Sequence, residues 1–132
     1  MFVNLHAMGL INPSHHDILR HAKALHHQHG TDPNRDSTIG VTPLSIEALD
    51  LSGNELVTIR PLSHFPSLRS LNLSSTGLSS LPCSSLPRLL TSLHASSCHI
   101  AKLTSVASLA CLIELDLSYN SLTDLSGFHG CE

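Results

Sequence analysis

Tryptophan is absent from this chain, and the other large aromatics are reduced to Phe2, Phe65, Phe128 and Tyr119. A core without them has to be built from Leu, Ile, Val and Ala, and an interface of aromatic anchors is poorly supplied. Charge is scarce as well. Asp, Glu, Lys and Arg make up 13% of the 132 residues, for a formal net charge of −3. So mild an imbalance excludes the basic stripe of a nucleic-acid binder and the polybasic patch of a membrane-surface protein. No apolar run approaches the roughly 18 residues of a transmembrane helix. The opening Met1-Phe2-Val3-Asn4-Leu5-His6 has neither a basic region nor a long apolar stretch, so no secretory leader is expected. Four cysteines, Cys83, Cys98, Cys111 and Cys131, form no Cys-x-x-Cys pair. They predict reduced thiols in a cytoplasmic protein rather than a disulfide framework.

What the chain does have is apolar residues, 41% of the total, enough for one folded domain. They recur with a fixed period. IEALDLSGNEL from Ile46, LRSLNLSSTGL from Leu68, LTSLHASSCHI from Leu90 and LIELDLSYNSL from Leu112 align without a gap, each start 22 residues after the last. Apolar side chains two apart share one face of a strand. Leu49 and Leu51, Leu71 and Leu73, Leu93 and Ala95, and Leu115 and Leu117 are therefore expected to stack in layers. After each strand comes a column of Asn54, Thr76, Cys98 and Asn120, where the chain turns inward. Apolar residues then recur every three positions, Ile59, Leu62 and Phe65 in the first repeat and Leu103, Val106 and Leu109 in the third. That spacing predicts 3₁₀ or short helical turns. In the second repeat Ser84 and Pro87 break the column, so an irregular loop is expected there.

The pattern L-x-x-L-x-L-x-x-N-x-L over residues 46 to about 128 resembles the leucine-rich-repeat signature. Its 22-residue length is similar to the subclass found in a regulatory subunit of protein phosphatase 1 and a leucine-rich axonemal dynein light chain. The resemblance implies an α/β solenoid. Its short parallel sheet forms the concave face, and its convex side carries 3₁₀, helical or irregular segments. In the family the residue after the strand bonds buried backbone groups of neighbouring turns, which assigns Asn54, Thr76, Cys98 and Asn120 to a structural ladder, with Thr76 and Cys98 the weaker members. The repeats are placed at 46–67, 68–89, 90–111 and 112–132.

Residues 1–45 stand outside this pattern and hold seven of the eleven histidines. Asn12 before Pro13 reads as a helix N-cap and Gly30 as a C-cap, with Ile18, Leu19, Ala22 and Leu25 as an apolar stripe. A helix near 13–29 would cap the first strand, and residues 31–45 read as a connector. The fourth repeat would run to position 133. Its edge is therefore expected to be covered by missing repeats, a partner or a second copy.

Function is expected on the concave face, where five columns of solvent-facing side chains run across the strands. Most are serine. The residues suited to bind are Arg69, His94, Glu114, Asp116 and Tyr119, and they predict a protein partner. The alternative is a structural subunit of a large intracellular assembly such as the axoneme, which puts the protein in the cytoplasm with a cytoskeletal or ciliary place as the variant. His94, Asp116 and Ser96 share that face, yet no G-x-S-x-G elbow or oxyanion hole accompanies them, so no catalytic residue is assigned. Among the histidines only His26 and His29 have the spacing of a helical chelate, and no third ligand is placed. Metal binding by the His-rich N-terminus is therefore the least favoured of the three readings, and no cofactor and no metal ligand are assigned.

Overall fold

Alternation of apolar and polar residues over Ala-Leu-Asp, Ser-Leu-Asn, Ser-Leu-His and Glu-Leu-Asp makes each triplet a strand whose leucine points inward. A computed structural model describes residues 1–28, 41–104, 106–124 and 126–128. Its elements in order are β1 (Phe2–Asn4), α1 (His15–Gln28), β2 (Ala48–Asp50), β3 (Ser70–Asn72), β4 (Ser80–Pro82), β5 (Ser92–His94), β6 (Lys102–Thr104) and β7 (Glu114–Asp116). Four 3₁₀ turns at Pro43–Ser45, Cys83–Ser85, Val106–Ser108 and Ser126–Phe128 complete it. The main sheet is parallel, in the order β1-β2-β3-β5-β7. Its register places Leu49 against Leu71, Leu71 against Leu93 and Leu93 against Leu115. The 22-residue period of the sequence is thus the step from strand to strand. Leu68, Leu71, Leu73 and Leu78 fill one fully buried layer, and Leu90, Leu93, Ala95 and Ile100 fill the next. In the last layer Leu112, Leu115 and Leu117 are half-buried.

The sheet starts earlier than the repeat pattern announced. β1 pairs with β2, Val3 against Leu49, and Ala7 adopts the same left-handed backbone as Gly53. Val3, Leu5 and Leu10 are buried, as are Leu49, Leu51 and Leu56. The expectation that residues 1–45 fall outside the repeat therefore fails for residues 1–11. Val3, Met8 and Gly9 replace the leucine, asparagine and neighbouring residue that mark the motif, and the offset to the next strand is 46 rather than 22. The extra length includes α1.

The helix also begins elsewhere than expected. Ser14, not Asn12, caps it. Ser14 Oγ accepts the Asp17 N–H at 3.3 Å, while the Ser14 N–H and hydroxyl both donate to Asp17 Oδ2, at 2.9 and 2.7 Å. This reciprocal cap satisfies end groups that Asn12 cannot reach. Asn12, itself left-handed at φ 43°, instead accepts the N–H groups of Val57 and Thr58. Ile18 and Ala22 of the apolar stripe are buried, and Leu19 and Leu25 are half-buried. Ile18 borders a small apolar gap with Leu51, Leu56 and Leu62, and the His15 ring stacks on His64. The helix thus lies beside the convex segment of the adjoining repeat. Gly30 is outside the described residues.

The second repeat is more regular on its convex side than its sequence suggests. β4 pairs with β6, Leu81 against Leu103, and Leu86 and Pro87 are buried along with Cys83. Pro82 and Pro87 do forbid a continuous helix, but a three-residue strand with one 3₁₀ turn after it needs few backbone donors and tolerates both. Farther along, Gly127 approaches Leu103 so closely that a Cβ would sit 2.7 Å from the Leu103 carbonyl oxygen.

Each inward turn buries backbone groups that need partners. Asn54 supplies them across two layers. Its Nδ2 donates to the carbonyls of Leu5 and Leu51 at 2.8 and 2.9 Å, and its Oδ1 accepts the Leu10 N–H at 3.0 Å. Asn120 repeats the arrangement with Ala95, Leu117 and Ile100. The shorter Thr76 and Cys98 both reach the Leu73 carbonyl and touch each other at 3.3 Å. Asn54→Ala leaves three buried groups without that partner and should cost about 2–4 kcal/mol, at roughly 1–3 kcal/mol per orphaned group less what water recovers. Urea unfolding monitored by far-ultraviolet circular dichroism reads this directly. Cys98→Ala, which loses only weak sulfur contacts, should cost about 1 kcal/mol.

Candidate interaction surface

Parallel strands in register place equivalent residues side by side about 4.8 Å apart. The column inside the L-x-L motif runs Asn4, Asp50, Asn72, His94 and Asp116. Four of these five fold back on their own backbone. Asn4, Asp50, Asn72 and Asp116 each accept, at 2.9–3.0 Å, the N–H two residues ahead. The column is therefore partly a row of turn-closing side chains. The recurring Asp/Asn-Leu-Ser triplet was the available signal for it. His94 does not accept in this way; the Ser74 hydroxyl of the preceding strand takes the Ser96 N–H instead, at 3.2 Å.

His94 is thereby free to face the neighbouring column. Its Nε2 lies 3.1 Å from Ser92 Oγ and 3.7 Å from Glu114 Oε1, while the Ser92 hydroxyl donates to Glu114 Oε2 at 3.1 Å. The chain of bonds is consistent when Nε2 carries the proton and donates to Ser92. Asp116 stands beside His94 in the ladder. Its carboxyl is held below the usual carboxylate range by the side-chain and backbone hydrogen bonds of Ser118, with a smaller contribution from His94. Asp116 therefore carries its charge throughout the neutral range.

The structure brings together His94, Glu114 and Asp116 from the expected set. Tyr119 comes one turn beyond Asp116 and is 86% exposed. Arg69 is elsewhere. Its guanidinium donates to the Leu89 carbonyl at 3.1 Å, two strand steps, roughly 10 Å, from β7. Phe2, at the head of the column that continues through Ala48, Ser70, Ser92 and Glu114, is exposed and was hidden from the sequence by its unrecognised strand. The Ser96–His94–Asp116 set does not assemble: Ser96 bonds Ser74, and His94 Nε2 turns to both Ser92 and Glu114. A relay needs the acid on Nδ1 and the hydroxyl on Nε2. Among the described residues no group of three or more His, Cys, Asp or Glu side chains is placed to hold a metal. His29 and the side chain of His26 fall outside the described residues.

The Leucine Rich Repeat family model matches residues 67–89 and 111–131. The protein is a leucine-rich-repeat solenoid. The repeats beginning at Ile46 and Leu90 lie outside the matched stretches, yet their strands take the same register in the same sheet. No curated protein matches the chain. Among the described residues no helix is long and apolar enough to cross a membrane. Leucine-rich repeats generally serve protein–protein interaction, and the family is typically non-enzymatic.

One column of this leucine-rich-repeat protein carries strain. Gly53, Ser75, Ser97 and Tyr119 all adopt φ between 53° and 69°. Only glycine does so without opposition between Cβ and the carbonyl. Ser97→Gly should therefore stabilise the fold by about 0.5–1 kcal/mol after the entropy of glycine is deducted. A rise in the urea midpoint at unchanged slope is the expected result.

Proposed function

We propose that the protein is a non-catalytic binding module that holds a protein partner against its concave face. The observation that carries this reading is the grouping of His94, Glu114 and Asp116 on β5 and β7, next to an 86% exposed Tyr119. An aromatic ring with a polar tip beside two carboxylates supplies both area and charge to an interface. Ala48, Ser70 and Ser92, which precede Glu114 in its column, are small, which lets a partner's backbone approach the middle strands closely. Arg69, held at the rim by Leu89, is an outlying contact. A cytoplasmic location rests on the reading of the cysteines as reduced. A second reading, a structural subunit of a large assembly such as the axoneme, rests on the 22-residue period of the repeat.

The test is capture from native lysate with the tagged protein, beside a Glu114→Arg, Tyr119→Ala variant and a convex-side control, Lys102→Glu. A partner lost with the first variant and kept with the control supports the concave face. A partner retained by the Glu114→Arg, Tyr119→Ala variant overturns it.

A further inference from the structure

Three histidines meet where α1 joins the convex surface. The His15 and His64 rings stack with centroids 3.8 Å apart at 22°, and the His16 ring centroid lies 4.0 Å from that of His15. His15 and His16 belong to the first turn of α1. His64 belongs to the convex segment of the repeat that begins at Ile46, where the adjacent Phe65 is fully buried and fixes the backbone. The stack therefore ties a helix to the solenoid through side chains that change charge near neutrality.

The charged neighbours on both elements do little to offset that charge. On the helix, the Asp17 carboxylate is taken by Ser14 at 2.9 and 2.7 Å and by Arg20 at 3.0 Å. On the convex segment, Arg60 is itself cationic and donates to the Asn12 carbonyl at 3.3 Å. The first turn of a helix presents the positive end of its dipole and disfavours a cation further. Two imidazolium rings in face contact would repel with little compensation.

We propose that His15, His16 and His64 form a pH-sensitive latch, which docks the first turn of α1 on the convex surface when the rings are neutral and releases it when they are protonated. Release would uncover the buried faces of Ile18 and Ala22, so the solenoid would gain an apolar surface on acidification. The direction of the pH effect comes from linkage. His15 is held below the ordinary histidine value, first by loss of hydration in its half-buried position and then by His16 and His64. A depressed histidine lets the undocked state bind more protons. Docking is therefore at full strength above the ordinary histidine pKa of about 6.5, and weakens as pH falls through that value towards the lower value of the docked ring. For each pH unit that separates the two values, the docking equilibrium changes about tenfold.

The test is a nuclear magnetic resonance titration of the full chain from pH 7.5 to 5.0, tracking the histidine ring signals and the amides of residues 15–22. In the wild type His15 should titrate below an unstructured histidine, and the first-turn amides should lose their helical shifts as it does. His64→Phe keeps a ring on the stack without a charge and should hold α1 docked across the range; His16→Asn should narrow the response by removing one neighbour. An ordinary titration of His15, helical shifts that stay constant to pH 5.0 in the wild type, or an equal loss in His64→Phe would each overturn the latch.

Discussion

Every repeat of this chain turns inward after its strand and buries backbone N–H and C=O groups there, and the stack holds because a side chain meets them. Asn54 and Asn120 do so in full, each bridging its own turn to the one before. Between them Thr76 and Cys98 share a single carbonyl, that of Leu73. The two strong rungs lie near the two ends of the ladder, and the weak pair lies within the two fully buried layers. Dense leucine packing in those layers is what lets the shorter side chains suffice there.

The same turn constraint shapes the concave face. A chain that leaves each strand through a left-handed residue and closes the bend with an Asp or Asn commits the inner column to its own backbone. The one departure, His94, joins an inter-strand network with Ser92 and Glu114, and a second such network links His6 to Ser52 and Asp50. Tyr119 is another departure, since its column elsewhere holds Gly, Ser and Ala.

At the N-terminal end one helix does the work of a convex segment. Asn12 contributes to this by bonding the backbone of Val57 and Thr58, while Ser14 and Asp17 start α1 immediately after it. The helix is therefore joined to the solenoid at a short junction, and the histidine stack lies at that junction.

The sequence by itself determined the period, the four later strands and the layers of leucine, because side-chain alternation and a fixed 22-residue step are local and repeat themselves. It also marked the apolar stripe of α1. Only the tertiary structure decided that Phe2–Asn4 opens the sheet, since a three-residue strand with Val3 for the leucine and Met8 in the column of Asn54 is recognisable only by the neighbour it pairs with. The same holds for Pro87 and Leu86, whose burial depends on the facing repeat rather than on their own spacing. For the candidate surface, the sequence could place His94, Glu114 and Asp116 in adjacent columns, but it could not say which atoms meet. His94 turns to Glu114 rather than Ser96 because Ser74 already holds Ser96, and Arg69 leaves the group because a carbonyl 20 residues away accepts its guanidinium. Those choices depend on hydrogen-bond competition across strands, which no spacing along the chain encodes.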